Sequence, residues 1–76
     1  MNEGLKMQKT VKVGEIQTGR GFDLVVILDR TASKYPLKLY KKFYDGGWRR
    51  KKVNEFGNLV ATMQYMTAII AGQIPV

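Results

Sequence analysis

Hydrophobic and polar residues alternate in the first part of the chain, and this period of two predicts β-strands with one buried face. Val11 and Val13 fall on one side of the first segment, and the phase shifts at Gly14 before the next hydrophobic residue, Ile16. A phase shift at glycine predicts a β-bulge or the end of a strand. A turn with two glycines, at 17–21, then leads into the second segment.

The second segment, 22–29, is the strongest strand signal in the sequence. Four hydrophobic residues lie on one face, and Val25 and Ile27 give the other face a hydrophobic centre between Asp23 and Asp29. A strand that is hydrophobic on both faces is typical of the middle of a sheet. Because the chain predicts only one helix, we expect the second face of this strand to meet a partner chain or a ligand.

Residues 37–53 predict a β-hairpin whose two strands are unusually basic. A three-residue turn over 45–47 would place Tyr44 opposite Trp48, with Lys42 facing Arg50 and Tyr40 facing Lys52 on the same face. A two-residue turn on Gly46 and Gly47 is the alternative. It would exchange the faces of the last strand and bring Arg49 and Lys51 beside the tyrosines.

The last part of the sequence predicts one helix, with Asn54 or Asn58 as its N-cap and Gly72 and Pro75 beyond its end. Its hydrophobic residues recur at helical spacing and form a stripe wider than one sheet face needs. Met63 and Met66 are expected in the core. The extra width favours contact with a second chain. The residues predicted at this dimer interface are Tyr65, Met66 and Ile69.

These elements predict an α+β fold, a four-stranded antiparallel β-meander followed by one C-terminal α-helix (ββββα). The domain is expected to cover 9–76, with 1–8 as a flexible N-terminal segment. At 76 residues the chain has a small core, so self-association would help to stabilise it.

Composition narrows the functions that the fold can carry. The chain has no cysteine and no histidine, and its six carboxylates are scattered, so we expect neither an enzyme nor a metal site or other cofactor. It has no signal-peptide core and no hydrophobic stretch long enough for a membrane span, which predicts a cytoplasmic protein that does not contact membranes. A small-molecule substrate is not expected either.

The net charge of +7 is concentrated in the hairpin. Residues 38–52 contain seven cations and Asp45, whereas the rest of the chain carries six cations and five anions. Aromatic rings between the cations favour single-stranded nucleic acid, because rings stack on bases of any sequence while cations contact phosphates. The residues predicted to bind nucleic acid are Lys38, Tyr40, Lys42, Tyr44, Trp48, Arg49, Arg50 and Lys52.

The strand order, the segment 38–44 and the basic run 48–52 resemble the positive cofactor four family and its small bacterial and phage relatives. They are also similar, at half scale, to the Whirly proteins. The resemblance covers residues 10–70. It implies a homodimer joined partly through its helices that binds single-stranded DNA across its sheets, which makes DNA the expected ligand in preference to RNA.

A second interpretation of the same surface is a small interaction protein, such as a phage or mobile-element regulator, whose basic hairpin binds an acidic protein. Tyrosine, tryptophan and arginine also dominate protein–protein hot spots, so composition alone does not separate the two interpretations.

Overall fold

The computed structural model describes residues 9–76, which form one antiparallel sheet followed by one helix. The predicted ββββα fold is confirmed, and the strands lie in chain order across the sheet. The segment 1–8, predicted to be flexible, lies outside the described residues. The elements are β1 (Thr10–Gln17), β2 (Phe22–Asp29), β3 (Leu37–Tyr44), β4 (Trp48–Phe56) and α1 (Leu59–Ile70).

The bulge predicted from the phase shift near Gly14 is present in β1. The pairing of β1 with β2 shifts between Lys12 and Gly14, so Val13 is the extra residue. The shift returns Ile16 to the side of the sheet that faces α1, opposite Leu24. The glycine therefore lets one strand keep a consistent hydrophobic face on both sides of the irregularity.

The hairpin between β3 and β4 has the three-residue turn. Tyr44 pairs with Trp48, Lys42 with Arg50, and Tyr40 with Lys52, so the register of a two-residue turn is wrong. Gly46 has a φ of 73°, a backbone conformation that glycine adopts without the clash of a side chain. A second bulge, which the sequence pattern did not predict, shifts the register between Leu39 and Tyr40.

The helix begins later than the first of the two predicted caps. Asn54 and Glu55 continue β4, whereas the side chain of Asn58 accepts a hydrogen bond from the Ala61 backbone amide at 2.8 Å. Asn58 is therefore the N-cap. Strand pairing up to Phe56 occupies the backbone that an earlier helix would need.

The core lies between α1 and the face of the sheet that carries Leu24 and Leu39. On the helix, Met66 and Ile69, both predicted at the dimer interface, are 5% and 0% exposed. Ile69 fills the core of its own chain and offers no surface to a second one, so its prediction as a dimer-interface residue is wrong. Met66 belongs to the same core, but it also lines a trough between β1 and α1. Tyr65 is half-buried and packs on Phe56, with ring centroids 5.2 Å apart.

The exposed side of α1 carries several hydrophobic residues, one of which was predicted to lie in the core. Leu59, Val60 and Met63 are more than half exposed, so the core placement of Met63 is wrong. The buried side of α1 instead includes Thr62, which is fully buried. Its hydroxyl donates a hydrogen bond to the Asn58 carbonyl at 2.9 Å. Because that hydrogen bond satisfies the hydroxyl, threonine can occupy a core position that the hydrophobic pattern did not mark.

The turn between β1 and β2 is tied to the end of the helix. The Arg20 guanidinium donates hydrogen bonds to the carbonyl oxygens of Ile69, at 2.9 Å, and Ile70. The Ile69 carbonyl also accepts from the Gly72 backbone amide at 3.0 Å. Both carbonyls lie at the C-terminal end of α1, where a cation interacts favourably with the helix dipole. Arg20 thus has a structural role, since it links the turn between β1 and β2 to the end of the helix.

We expect Arg20→Ala to lower the free energy of unfolding by about 1–2 kcal/mol, since it removes charge-assisted hydrogen bonds from the helix end. Urea unfolding followed by circular dichroism measures the change. Arg49→Ala is the control, because the Arg49 side chain is exposed and makes no hydrogen bond or ion pair with the described residues. Equal stability of the two variants would contradict this role.

Candidate nucleic-acid interface

The side of the sheet that faces away from α1, termed the open face, is built from alternate residues of all four strands. Val25 pairs with Glu15 on one side and Tyr40 on the other, and Tyr40 pairs in turn with Lys52. The next row toward the hairpin tip contains Asp23, Lys42 and Arg50. The open face therefore holds aromatic, cationic and anionic side chains in cross-strand contact.

Two of the three predicted stacking rings are exposed at the tip of the hairpin. Tyr44 and Trp48 are 65% and 67% exposed and meet edge to face, with centroids 5.6 Å apart and planes at 75°. The Lys42 ammonium lies 5.3 Å from the Trp48 ring. Rings and cations thus share one solvated side of the hairpin.

The third ring, Tyr40, is half-buried beneath a guanidinium. The Cζ atom of Arg50 lies 4.5 Å from its centroid. Nucleic-acid bases also stack on guanidinium planes, so the Arg50 side chain can present its outer surface to a base in place of the phenol. A base bound at this position would therefore contact the Arg50 guanidinium, which in turn stacks on the Tyr40 ring.

A cavity of about 260 Å³ lies beside Trp48 over the middle of the open face. Val25 and Ile27 form the hydrophobic floor of this cavity. Both side chains are buried, although α1 packs on the other side of the sheet. Their cross-strand neighbours, which include Lys12 and Tyr40, cover them. The second face of β2 is therefore buried within its own chain and does not need the partner that its hydrophobicity predicted.

Two carboxylates form ion pairs with four lysines of the open face, of which Lys12 and Lys42 line this cavity. Glu15 accepts from Lys12 at 2.8 Å and lies 3.6 Å from the Lys42 ammonium. Glu55 bridges Lys52 and Lys38, the latter at 3.1 Å. A phosphate that binds any of these lysines must share it with a carboxylate, which reduces their individual contribution to binding.

These contacts lower the pKa of both carboxyl groups. The hydrogen bond from Lys12 is the main cause for Glu15, and the hydrogen bond from Lys52, followed by that from Lys38, is the main cause for Glu55. At neutral pH both groups are charged. Asp29 also has a lowered pKa because the Thr31 hydroxyl and backbone amide donate to it, so it stabilises a turn.

The pKa shifts predict how stability depends on pH. A carboxyl group with a lowered pKa in the folded state stabilises the protein above its unfolded pKa, and this stabilisation is lost as pH falls through the folded value. We expect urea midpoints to fall as pH drops below the ordinary glutamate value of 4.5. Glu55→Gln should show a smaller decrease. An equal decrease in both proteins would exclude Glu55 as a contributor.

The predicted nucleic-acid residues do not all lie on the open face. Lys38, Tyr40, Lys42, Tyr44, Trp48, Arg50 and Lys52 are brought together there by the register. Arg49 pairs with Phe43 and falls on the other side of β4 by the same register, although it borders the cavity beside Trp48. The register thus separates Arg49 from the paired lysines.

Sequence reasoning missed Glu15 and Glu55 as members of the site. Glu55 was assigned to the start of a helix, and Glu15 lies in β1, far from the hairpin in sequence. Within residues 9–76, no group of three or more His, Cys, Asp or Glu side chains could hold a metal ion. Nor does this part of the chain contain a helix with the length and hydrophobicity needed to cross a membrane. Comparison with protein-family models, curated proteins and solved structures finds no match to this chain.

Proposed function

We propose that this protein binds single-stranded nucleic acid through its open face, without catalysis and with little sequence preference. The observation that carries the proposal is the exposed edge-to-face pair of Tyr44 and Trp48 on the same side as Lys42 and Arg50. Stacking is available to every base, and backbone phosphates can reach the cations beside the rings. The resemblance to the positive cofactor four family favours DNA over RNA as the ligand.

The geometry supports stacking more strongly than base-specific recognition. The tip presents ring faces and edges, whereas Lys12, Glu15 and Lys42 at the cavity are ion-paired with one another. Specific readout needs donors and acceptors that are free to match a base edge. We therefore expect oligonucleotides of different sequence to bind with similar affinity.

A salt titration with fluorescently labelled oligo-dT tests the proposal. The affinity should fall with salt at about 0.7 log unit per phosphate contact and decade of concentration. Competition with unlabelled oligo-U and duplex DNA then measures the preference for DNA and for single strands. Absence of binding at low salt would contradict the proposal and leave the acidic-protein interpretation.

A homodimer is the second part of the proposal, and we assign it to a surface that shares only Met66 with the interface residues predicted from the sequence. A trough of about 230 Å³ runs between β1 and α1, and its lining includes Val13, Ile16, Leu59 and Met63. The helix packs on β3 and β4, which leaves this side of β1 open. An exposed hydrophobic surface of this kind is typical of a protein contact.

Charge supports a second copy of the chain as the occupant of the trough. From residue 56 to residue 76 the sequence contains no Lys, Arg, Asp or Glu. Two copies can therefore meet along α1 without bringing their hairpin cations together, although each chain carries +7 overall. Exposed Leu59, Val60 and Met63 lie next to the trough, so the same patch supplies both a ridge and a groove, as a two-fold interface requires.

We expect Met63→Glu to raise the dimer dissociation constant by more than about 100-fold, because it would bury an unpaired charge at a cost of about 3 kcal/mol or more. Sedimentation equilibrium over a range of concentrations measures the constant. Gln64→Glu introduces the same charge on the exposed neighbouring residue and should leave association unchanged. A wild-type protein that is monomeric at every concentration would contradict the dimer.

A further inference from the structure

Opposing charges nearly cancel on the open face, although it carries most of the predicted nucleic-acid residues. By the strand register, this face holds five cations and four carboxylates. The cations are Lys12, Lys38, Lys42, Arg50 and Lys52, and the carboxylates are Glu15, Asp23, Asp29 and Glu55. Little of the +7 net charge is therefore uncompensated on this side of the sheet.

The uncompensated cations lie on the other side of the hairpin. Lys41 pairs with Lys51, and Phe43 pairs with Arg49, on the side of the sheet that carries α1. The described residues of the four strands place no carboxylate on this side. Arg49 and Lys51 are exposed, and neither forms an ion pair with any described residue. The positive field of the protein is thus strongest around β4, where it reaches both sides of the sheet.

A cleft of about 370 Å³ lies next to these cations. Its lining includes Lys41, Lys51, Phe43 and Tyr65, and it closes against the last residues of the chain. The Lys41 ammonium lies 5.0 Å from the Phe22 ring and 5.4 Å from the Phe43 ring, and it donates to the Val76 backbone oxygen at 3.4 Å. Packing against rings holds this ammonium at the cleft without neutralising its charge.

The position of β4 in the sheet connects the cleft to the open face. Among the described residues β4 is an edge strand with no strand beyond it. Its side chains alternate between the two sides of the sheet along the row Arg49, Arg50, Lys51, Lys52. A chain of phosphates that crosses this edge meets a cation on each side in turn. Tyr44 and Trp48 stand where the edge meets the hairpin tip.

We propose that the nucleic-acid strand passes over the β4 edge and that its phosphates bind in the cleft on the helix side, at Lys51 and Lys41. This inference rests on the proposed function and adds a second phosphate site to it. The stacked bases lie at Tyr44 and Trp48, while the phosphates that follow them contact Arg49 at the edge and then the cleft. Charged edges also prevent sheets from pairing edge to edge, and this is the other role that four cations on β4 can serve.

The variant Lys51→Ala distinguishes phosphate binding from protection of the sheet edge. Its affinity is measured for oligo-dT of increasing length, from about 4 to 16 nucleotides, over a range of salt concentrations. For the longest oligonucleotides, the salt slope of the variant should be about 0.7 smaller than that of the wild type, which corresponds to one lost phosphate contact. The shortest should lose nothing, because they bind only at the rings. Lys34→Ala removes the same charge from an exposed residue in the loop before β3, at the other end of that strand from the hairpin turn, and should leave the slope unchanged at every length.

Other outcomes overturn the inference and still distinguish it from the proposed function. If Lys51→Ala matches Lys34→Ala at all lengths while Trp48→Ala still weakens binding, the strand stays on the open face. If Lys51→Glu binds like the wild type but aggregates, the cations of β4 protect the edge. If wild-type protein binds no oligonucleotide, the proposed function and this inference fail together.

Discussion

Trp48→Ala is expected to weaken the binding of oligo-dT by roughly five- to 150-fold, because removal of one stacking ring costs about 1–3 kcal/mol. Trp48 is the most exposed large hydrophobic side chain of the hairpin, and its ring contacts are with Tyr44 and the Lys42 ammonium. The fold should therefore survive its removal. Fluorescence anisotropy measures the affinity, and thermal unfolding measured by circular dichroism confirms that the domain is intact.

Tyr35→Ala is the matched control for the loss of an exposed ring. Tyr35 is also exposed, but it lies in the loop before β3, at the end of the sheet opposite the hairpin turn. We expect its affinity for oligo-dT to equal that of the wild type. If both variants bind equally well at low salt, the rings contribute nothing and binding depends on charge alone. If both lose affinity equally, the effect does not come from the hairpin tip.

The fold was predictable from sequence because its strands are short and sharply patterned. The period of two assigns each residue of 37–44 to a face, and the turn at Asp45, Gly46 and Gly47 then determines the facing residues of β4. The phase shift at Gly14 identified the bulge in the same way. Local pattern and turn chemistry agree in these segments, so local information was sufficient for the strands themselves. It left open the choice between a two- and a three-residue hairpin turn and between a bulge and a strand end at Gly14.

The candidate site was less predictable because its charges are balanced by residues that are distant in sequence. Glu15 reaches Lys42 on β3 from the edge strand β1, across β2. A count of charges along 38–52 cannot include this contact, since only the folded sheet brings the two side chains together. The count located the excess correctly on the hairpin but could not divide it between the two faces.

The helix shows a different limit of the sequence pattern. A helix that is hydrophobic nearly all round fits several rotations against a sheet, so the stripe could not select Ile69 over Met63 as the buried residue. The choice depends on Asn58 and Thr62, whose hydrogen bonds set the start and the rotation of α1. Surplus hydrophobicity predicted that some of the helix would remain exposed, but not which residues.

Ile69→Ala is expected to lower the free energy of unfolding by about 2–5 kcal/mol, because the lost methyl groups leave a cavity in a closely packed core. Ile69 lies on the side of α1 that packs on the sheet, where it is fully buried together with Leu24 and Leu39. Domains have only about 5–15 kcal/mol of stability in total. The variant should therefore be largely unfolded at moderate urea concentrations where the wild type is folded.

Ile70→Ala is the matched control, since it removes the same atoms from the next residue of the same helix. Ile70 is 38% exposed and lies outside the core cluster, so its loss should cost less than about 1 kcal/mol. The comparison also decides the role first given to Ile69. An interface residue would lose association and keep the stability of the monomer, whereas a core residue loses stability at every protein concentration. If Ile69→Ala weakens only association, α1 must be rotated about its axis relative to the arrangement described, and Met63 would then belong to the core.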